Sequence, residues 1–355
     1  MAGANKGIYI ARSFREIGYN VTILSNAKAL GKSRVKKETI ELDSDGIVLH
    51  TFASLGNGNR IKNIINALYG LVQLFFFILL YVKKKDIVCV YHSLGYRGLF
   101  HFVRKVKRFK YILEVEELYK YFVANTSNYA SKEFRVFEEP DAFIFSNLLL
   151  GKEVNRFNKP QIIVNGAYRT ENNKKTVENR EDLILVYAGS LEKQKGIGII
   201  LKFAEYVNEN VEIRIIGFGE HDDVNYVREN VELLNKKGTK IRYDGIKTGM
   251  EYTKYLQQCD IGLCIQDNTD DFNLYEFPSK VISYMACGLN VITNDLIQIR
   301  TSELAKYINI METNDIIEMA DYINNRRFEC YDVSEVLKKV DREFIGNIKL
   351  LVESV

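Results

Sequence analysis

The stretch that most constrains this chain is 272–295, Phe-Asn-Leu-Tyr-Glu-Phe-Pro-Ser-Lys-Val-Ile-Ser-Tyr-Met-Ala-Cys-Gly-Leu-Asn-Val-Ile-Thr-Asn-Asp. A turn, a helix, its cap and a strand follow one another there. Pro278 suits a first helical turn, where its missing N–H costs nothing. Val281, Ile282, Met285 and Ala286 recur at helical spacing from Ser279 to Cys287, Gly288 suits a left-handed cap, and Leu289–Thr293 reads as a short buried strand. A helix starting after a loop presents unpaired N–H groups and the positive end of its dipole, to which Ser279 adds a hydroxyl and Lys280 an ammonium. That combination suits an anion, although an ordinary helix start has the same pattern.

Composition limits what such a site can belong to. With 355 residues, 46% of them hydrophobic, the chain is long enough for two globular domains. A formal net charge of +3 argues against a dedicated nucleic-acid binder. Cys89, Cys259, Cys264, Cys287 and Cys330 are scattered without metal-ligand spacing or a paired framework, as expected of reduced cysteines in a cytoplasmic protein. The four histidines, His50, His92, His101 and His221, are equally dispersed, which disfavours a histidine metal site.

In chain order, Ile8–Ile17 reads as an amphipathic helix closed by Gly18, with a strand over Tyr19–Leu24. Only Met1–Gly7 precedes it, and its glycines, Gly3 among them, resemble the turn after a first strand. The expectation is a first strand missing from the sheet and a donor-approaching turn at Gly3 and Gly7. Further strands are expected at Ile47–Phe52, Asp86–Tyr91, Tyr111–Val115, Ala142–Ser146 and Gln161–Val164. Ile64–Val82 would cover about 28 Å as a helix, just enough to cross a bilayer. Asn66, Gly70 and Gln73 interrupt it and a strand follows directly, so the first reading is a helix buried against the sheet, and the second an interfacial helix. The basic run Arg104, Lys105, Lys107, Arg108 and Lys110 suits either a solvated helix face or an anionic membrane surface. Glu114, Glu116 and Glu117 arrive at the end of a strand, where open α/β sheets place ligand chemistry.

Arg169–Asp182 is polar, lacks apolar periodicity and reads as a linker. Strand and helix then alternate again: Leu183–Ala188, a turn over Gly189–Gly196, a helix over Ile197–Val207, Val211–Ile216 ending in Gly217-Phe218-Gly219-Glu220, Ile241–Tyr243, a helix over Met250–Gln258 and Asp260–Ile265. Ser334–Val355 is a long helix with Ser334 as its cap and Val336, Leu337, Val340, Phe344, Ile348 and Leu351 along one stripe. Two such series imply two doubly wound α/β domains facing across a cleft. The boundaries are 1–168, a linker at 169–182, 183–333, and a final helix at 334–355 expected to pack back on the first domain.

The order Tyr187-Ala-Gly-Ser-Leu, Gly196, Ile215-Ile-Gly-Phe-Gly219, Cys259-Asp-Ile-Gly-Leu263 and Phe277-Pro-Ser-Lys-x2-Ser-Tyr-Met-Ala-Cys-Gly288 resembles the donor-binding half of family-4 glycosyltransferases, retaining enzymes of the GT-B fold. The last motif is specific, and the others support it through their order. The resemblance implies that Lys195 meets a donor diphosphate, that Gly189 and Gly219 let backbone approach the nucleotide, and that Pro278, Ser279 and Lys280 lie beneath the phosphates. The family usually has arginine at Ser190 and glutamates at Tyr275 and Ser283. Glu276 lies next to the first of those positions, and Glu116 and Glu117 align with the family's histidine-plus-acid pair at a strand end. Glu116 and Glu276 are therefore the expected catalytic residues, and Ser190 and Ser283 altered donor contacts.

The resemblance implies transfer of a sugar, with retention, from a nucleoside-diphosphate sugar to a glycan or lipid-linked acceptor in surface polysaccharide synthesis. No metal or other cofactor is expected, because cations and a helix dipole would meet the leaving diphosphate. The expected location is cytoplasmic, with peripheral contact at the inner face of the membrane. The alternative, favoured by Ser190, Tyr275 and Ser283, is a non-catalytic subunit that binds a glycan or a partner.

Overall fold

The computed structural model describes residues 2–25, 34–42, 46–56, 58–119, 132–169, 181–192, 196–266 and 275–355. Lys195 and most of the linker expected at 169–182 lie outside them. The chain divides into two compact units. One comprises Met1–Ser146, Leu150–Ala167 and Glu343–Val355, the other Asn147–Leu149 and Tyr168–Arg342.

The first unit opens on helix α1 (Ala2–Glu16). This corrects the sequence reading, since Gly3 and Gly7 lie inside a helix and not in a turn. Each interior glycine costs about 1 kcal/mol relative to alanine. The buried stripe Tyr9, Ile10, Ala11 and Phe14 anchors the helix, and extending it towards Ala2 gains one hydrogen bond per residue added. Strands β1 (Thr22–Ser25) and β3 (Ile47–Thr51) pair in parallel, and β2 (Glu38–Leu42), which the sequence pattern did not reveal, adds antiparallel to β3. A second sheet, all parallel, has the order β4 (Ile87–Tyr91), β5 (Lys110–Val115), β6 (Ala142–Phe145), β7 (Gln161–Ile163). Among the described residues β1 pairs only with β3 and β4 only with β5, so the two sheets are separate. Helix α2 (Arg60–Tyr81) buries only Asn66, Gly70, Leu74 and Ile78, which corrects the first reading of a helix buried against the sheet. Helix α3 is Arg97–Lys107.

The second unit holds one six-stranded parallel sheet: β8 (Leu183–Ser190), β9 (Val211–Phe218), β10 (Lys240–Tyr243), β11 (Ile261–Cys264), β12 (Asn290–Asn294) and β13 (Asn309–Met311). Their spatial order is β10-β9-β8-β11-β12-β13, so the sheet reverses direction between β8 and β11. In such sheets the crevice at the carboxyl ends of those two strands is the ligand position. Helix α4 (Ser279–Ala286) follows β11, buries Val281, Ile282, Tyr284 and Met285, and ends at Gly288 with φ +86°. Pro278 sits one residue ahead of the helix, and its carbonyl accepts from the Val281 N–H at 3.0 Å.

The last helix, α5 (Val333–Glu353), contributes its residues from Glu343 onward to the first unit. Its cap is Asp332, whose carboxylate accepts from the Glu335 N–H at 3.2 Å, and not Ser334. Val336, Leu337, Val340, Phe344, Ile348 and Leu351 are all buried. Phe344 stacks on Tyr9 of α1 with ring centroids 5.4 Å apart.

Candidate active site

At the reversal point of the second unit, backbone bareness is enforced by packing. Gly189 and Gly217 lie opposite each other in the β8–β9 ladder, and a Cβ on Gly217 would come within 1.8 Å of the Gly189 carbonyl oxygen. Gly196, at φ +97°, is equally confined, since its Cβ would meet the Ile265 carbonyl oxygen at 2.0 Å. Gly219 leaves less freedom for function than the sequence implied, because a Cβ there would press on Asp223 at 2.9 Å and Leu191 at 3.1 Å. Its bareness serves packing as well as any approach by a ligand.

Lys280 reaches over this bare backbone. Its Nζ lies 3.5 Å from where a Gly189 Cβ would be, and 4.3 Å from the centroid of the Tyr187 ring. The cation–π contact aims the ammonium and limits its rotamers. Tyr187 is itself fixed, its hydroxyl donating to the Ser190 carbonyl at 2.7 Å. Tyr284 of α4 ties the helix to both central strands: its ring fills the space a Gly262 side chain would need, its hydroxyl donates to the Leu263 carbonyl at 3.3 Å, and it accepts from the Ala188 N–H at 2.8 Å. The start of α4 is thereby held at the ends of β8 and β11.

Of the other expected donor residues, Ser279 is exposed at the helix start and Pro278 is buried. The Ser190 hydroxyl donates to Glu192 at 3.0 Å, which puts a carboxylate where a phosphate clamp was sought. Ser283 bonds the Tyr252 hydroxyl and so serves packing. Glu276 is exposed, two residues ahead of Pro278. The second unit thus gathers Gly189, Ser190, Gly219, Pro278, Ser279, Lys280 and Ser283, whereas Gly3, Gly7 and Glu116 belong to the first.

In the first unit, Lys6 of α1 forms an ion pair with Glu116, the residue just past β5. The Lys6 side chain is 7% exposed and that of Glu116 24%. Glu114, two residues earlier on β5, is buried, and burial raises its carboxyl to about 8, with Lys6 pulling it back and Glu116, to which it hydrogen-bonds, pushing it further up. Raised in this way, the Glu114 carboxyl keeps its proton at neutral pH beside the Lys6–Glu116 pair. Lys6 was not among the expected site residues, because a lysine in a presumed turn has no legible partner. Gly7 beside it has open space: a Cβ would meet nothing within 4 Å. His92 is buried between Tyr119 and Phe137, and burial lowers it to about 4, so it stays neutral at physiological pH.

Part of the sequence and the whole fold resemble known proteins. Residues 168–326 match the family model for glycosyl transferases group 1. No curated protein matches the chain by sequence. Among solved structures, a trehalose-6-phosphate protein from E. coli bound with UDP-2-fluoro glucose aligns with TM-score 0.68 at 11% identity, over 99% of this chain and 96% of that one. Anabaena Alr3699/HepE in complex with UDP and glucose aligns with TM-score 0.62 at 10% identity, over 99% and 96% of the two chains. The lipopolysaccharide outer core galactosyltransferase WaaB aligns with TM-score 0.55 at 11% identity, over 87% and 84%. The fold is that of the GT-B glycosyltransferases.

Proposed function

We propose that the protein transfers a sugar from a nucleoside-diphosphate sugar, with retention, to a glycan or lipid-linked acceptor in polysaccharide synthesis. The observation that carries the donor half of this reading is the Lys280 ammonium, held by Tyr187 above the bare Gly189 backbone at the start of α4. A diphosphate needs a fixed cation and convergent N–H donors, and this is where the second unit offers them. The likeness to UDP-bound structures favours UDP as the first nucleotide to try. The reading assigns the leaving-group charge to Lys280 and Lys195 without a metal, so EDTA should leave turnover unchanged. Glu116 and Glu276 are the proposed catalytic carboxylates, with Glu114 held protonated beside the first.

Thermal shift with UDP, GDP and their sugars tests the reading, since a ligand at about a hundred times its dissociation constant stabilises by about 2.7 kcal/mol. Absence of a shift with every nucleotide would favour the second reading, a non-catalytic binding subunit. Two observations support that alternative: Ser283 is engaged by Tyr252, and Ser190 by the Glu192 carboxylate.

A further inference from the structure

Helix α2 is held along one side and bare along the other. Its two polar interruptions are the fastening: Asn66 accepts from the Leu55 N–H at 2.9 Å and donates to the Ser54 hydroxyl at 3.1 Å, while Gln73 exchanges hydrogen bonds with Ala53 at 3.0 and 2.9 Å. At the far end Lys107 of α3 donates to the Leu79 carbonyl at 2.7 Å. On the opposite side Ile61, Leu68, Val72 and Phe76, with Phe102 and Val106 of α3, are each more than half exposed. Phe75 and Phe102 meet with ring centroids 6.0 Å apart, and the two helices enclose an apolar groove of about 420 Å³ whose walls include Leu68, Leu71 and Leu99. An apolar surface of this extent marks an interaction site.

The charge around it is predominantly positive, although Glu139 and Asp141 pair with His101 and Arg104 of α3. Residues 58–110 contain eleven lysines and arginines and one acid, Asp86, a net of +10, so the rest of the chain totals −7 against the overall +3. Lys83, Lys84 and Lys85 beyond α2 and Lys105 and Arg108 on α3 are exposed. Lys105 stands three residues from Phe102, on the same helical face.

We infer that this face docks the protein, lying in the plane of the interface, on a bilayer whose headgroups are anionic. A protein partner would usually be met by a polar rim, whereas an apolar face with a large excess of cations around it complements acyl chains beneath negative headgroups. Although α2 is long and apolar enough to span, insertion across the bilayer would strip Asn66 and Gln73 from their partners on Ala53, Ser54 and Leu55 and leave them in hydrocarbon. The in-plane mode keeps those bonds.

The test is flotation of the full chain with phosphatidylcholine vesicles, with and without phosphatidylglycerol. Binding is expected only to the anionic vesicles, and weakened by high salt because the attraction is screened. A triple variant, K84E/K85E/K105E, should lose at least tenfold in affinity, since each basic residue near such a surface contributes about fivefold. L68S/V72S alters exposed positions and should also weaken binding while UDP thermal shifts and circular dichroism stay as in the parent. This outcome is independent of catalysis, so loss of nucleotide binding would damage only the function proposed above. Absence of vesicle binding would overturn the inference, as would a dimer in solution that L68S/V72S dissociates. Resistance of bound protein to salt and alkaline carbonate would establish insertion instead and equally overturn it.

Discussion

The two units solve the same architectural problem differently. In the second, six parallel strands form one continuous sheet, and Gly196 and Gly217 near its reversal point are confined by neighbouring backbone, Gly217 by Gly189. In the first, the strands form two separate sheets, and its early glycines sit in α1, where Gly7 touches nothing. A continuous sheet supplies its own rigidity, so its site can be built of backbone. A divided one relies on side chains for cohesion: Tyr9 on Phe344, and Lys6 on Glu116.

The largest test of this contrast is Phe344→Ala. Truncating a buried phenylalanine costs about 3–5 kcal/mol, and here it also removes the stack on Tyr9. Hydrogen exchange should accelerate in α1 while β8 and β9 keep their protection. Equal loss in both units would show that they unfold together and would end the comparison.

Gly217→Ala addresses the other side. A Cβ driven against the Gly189 carbonyl must push two central strands apart, and overpacking of that severity costs about 3 kcal/mol. Urea titration followed by second-unit exchange reads it directly. A variant as stable as the parent would mean that the β8–β9 ends are looser than their geometry.

Next in size is Lys280→Met, which keeps an unbranched apolar side chain beside Tyr187 but removes the charge and its cation–π contact. Loss of one charge-assisted contact of roughly 1.5–3 kcal/mol should weaken UDP about ten- to a hundredfold by calorimetry. Unchanged affinity would move the anion site elsewhere.

A pH series probes the first unit alone. Glu114 is raised to about 8, so between about pH 4.5 and 8 the unfolded chain has released this proton while the folded one still holds it. Stability conferred by the protonated carboxyl is therefore full at low pH and falls as pH rises through that window, by up to about 1.4 kcal/mol per unit for a single proton. Glu114→Gln should flatten this slope in urea melts at pH 5, 6, 7 and 8. A slope that survives the substitution would trace to another group.

Where the apolar pattern was strong, the sequence showed the fold plainly. Every strand from β8 to β12 was legible, because buried parallel strands are short apolar runs bounded by turn residues. β2 was not, since Glu38–Leu42 carries two carboxylates and is almost wholly exposed at the edge of its sheet. The helix His221–Lys236 was also missed, although Val224, Val227, Val231 and Leu234 recur there at helical spacing and pack on the core. In the site, Lys280 was legible as a basic residue at a helix start, but Tyr187 and Tyr284, which position it and its helix, looked like core aromatics and depend on contacts 93 and 96 residues away along the chain. Asn66 and Gln73 were seen as interruptions of an apolar helix. Only the structure shows that they bind the segment after β3 and so decide which face is left bare.

Gly7→Ala is the smallest test and the one that separates the two kinds of glycine. An alanine at a helix-interior position gains about 1 kcal/mol over glycine through backbone entropy, and nothing within 4 Å opposes the added methyl. The variant should therefore be more stable than the parent by that amount in urea, the opposite sign to Gly217→Ala. If the open space beside Gly7 is where a substrate approaches Lys6 and Glu116, the same methyl should raise the Michaelis constant while the melting temperature rises. A stabilised enzyme with unaltered kinetics would leave Gly7 with no part in binding, and a destabilised one would mean that α1 is not helical through Gly7.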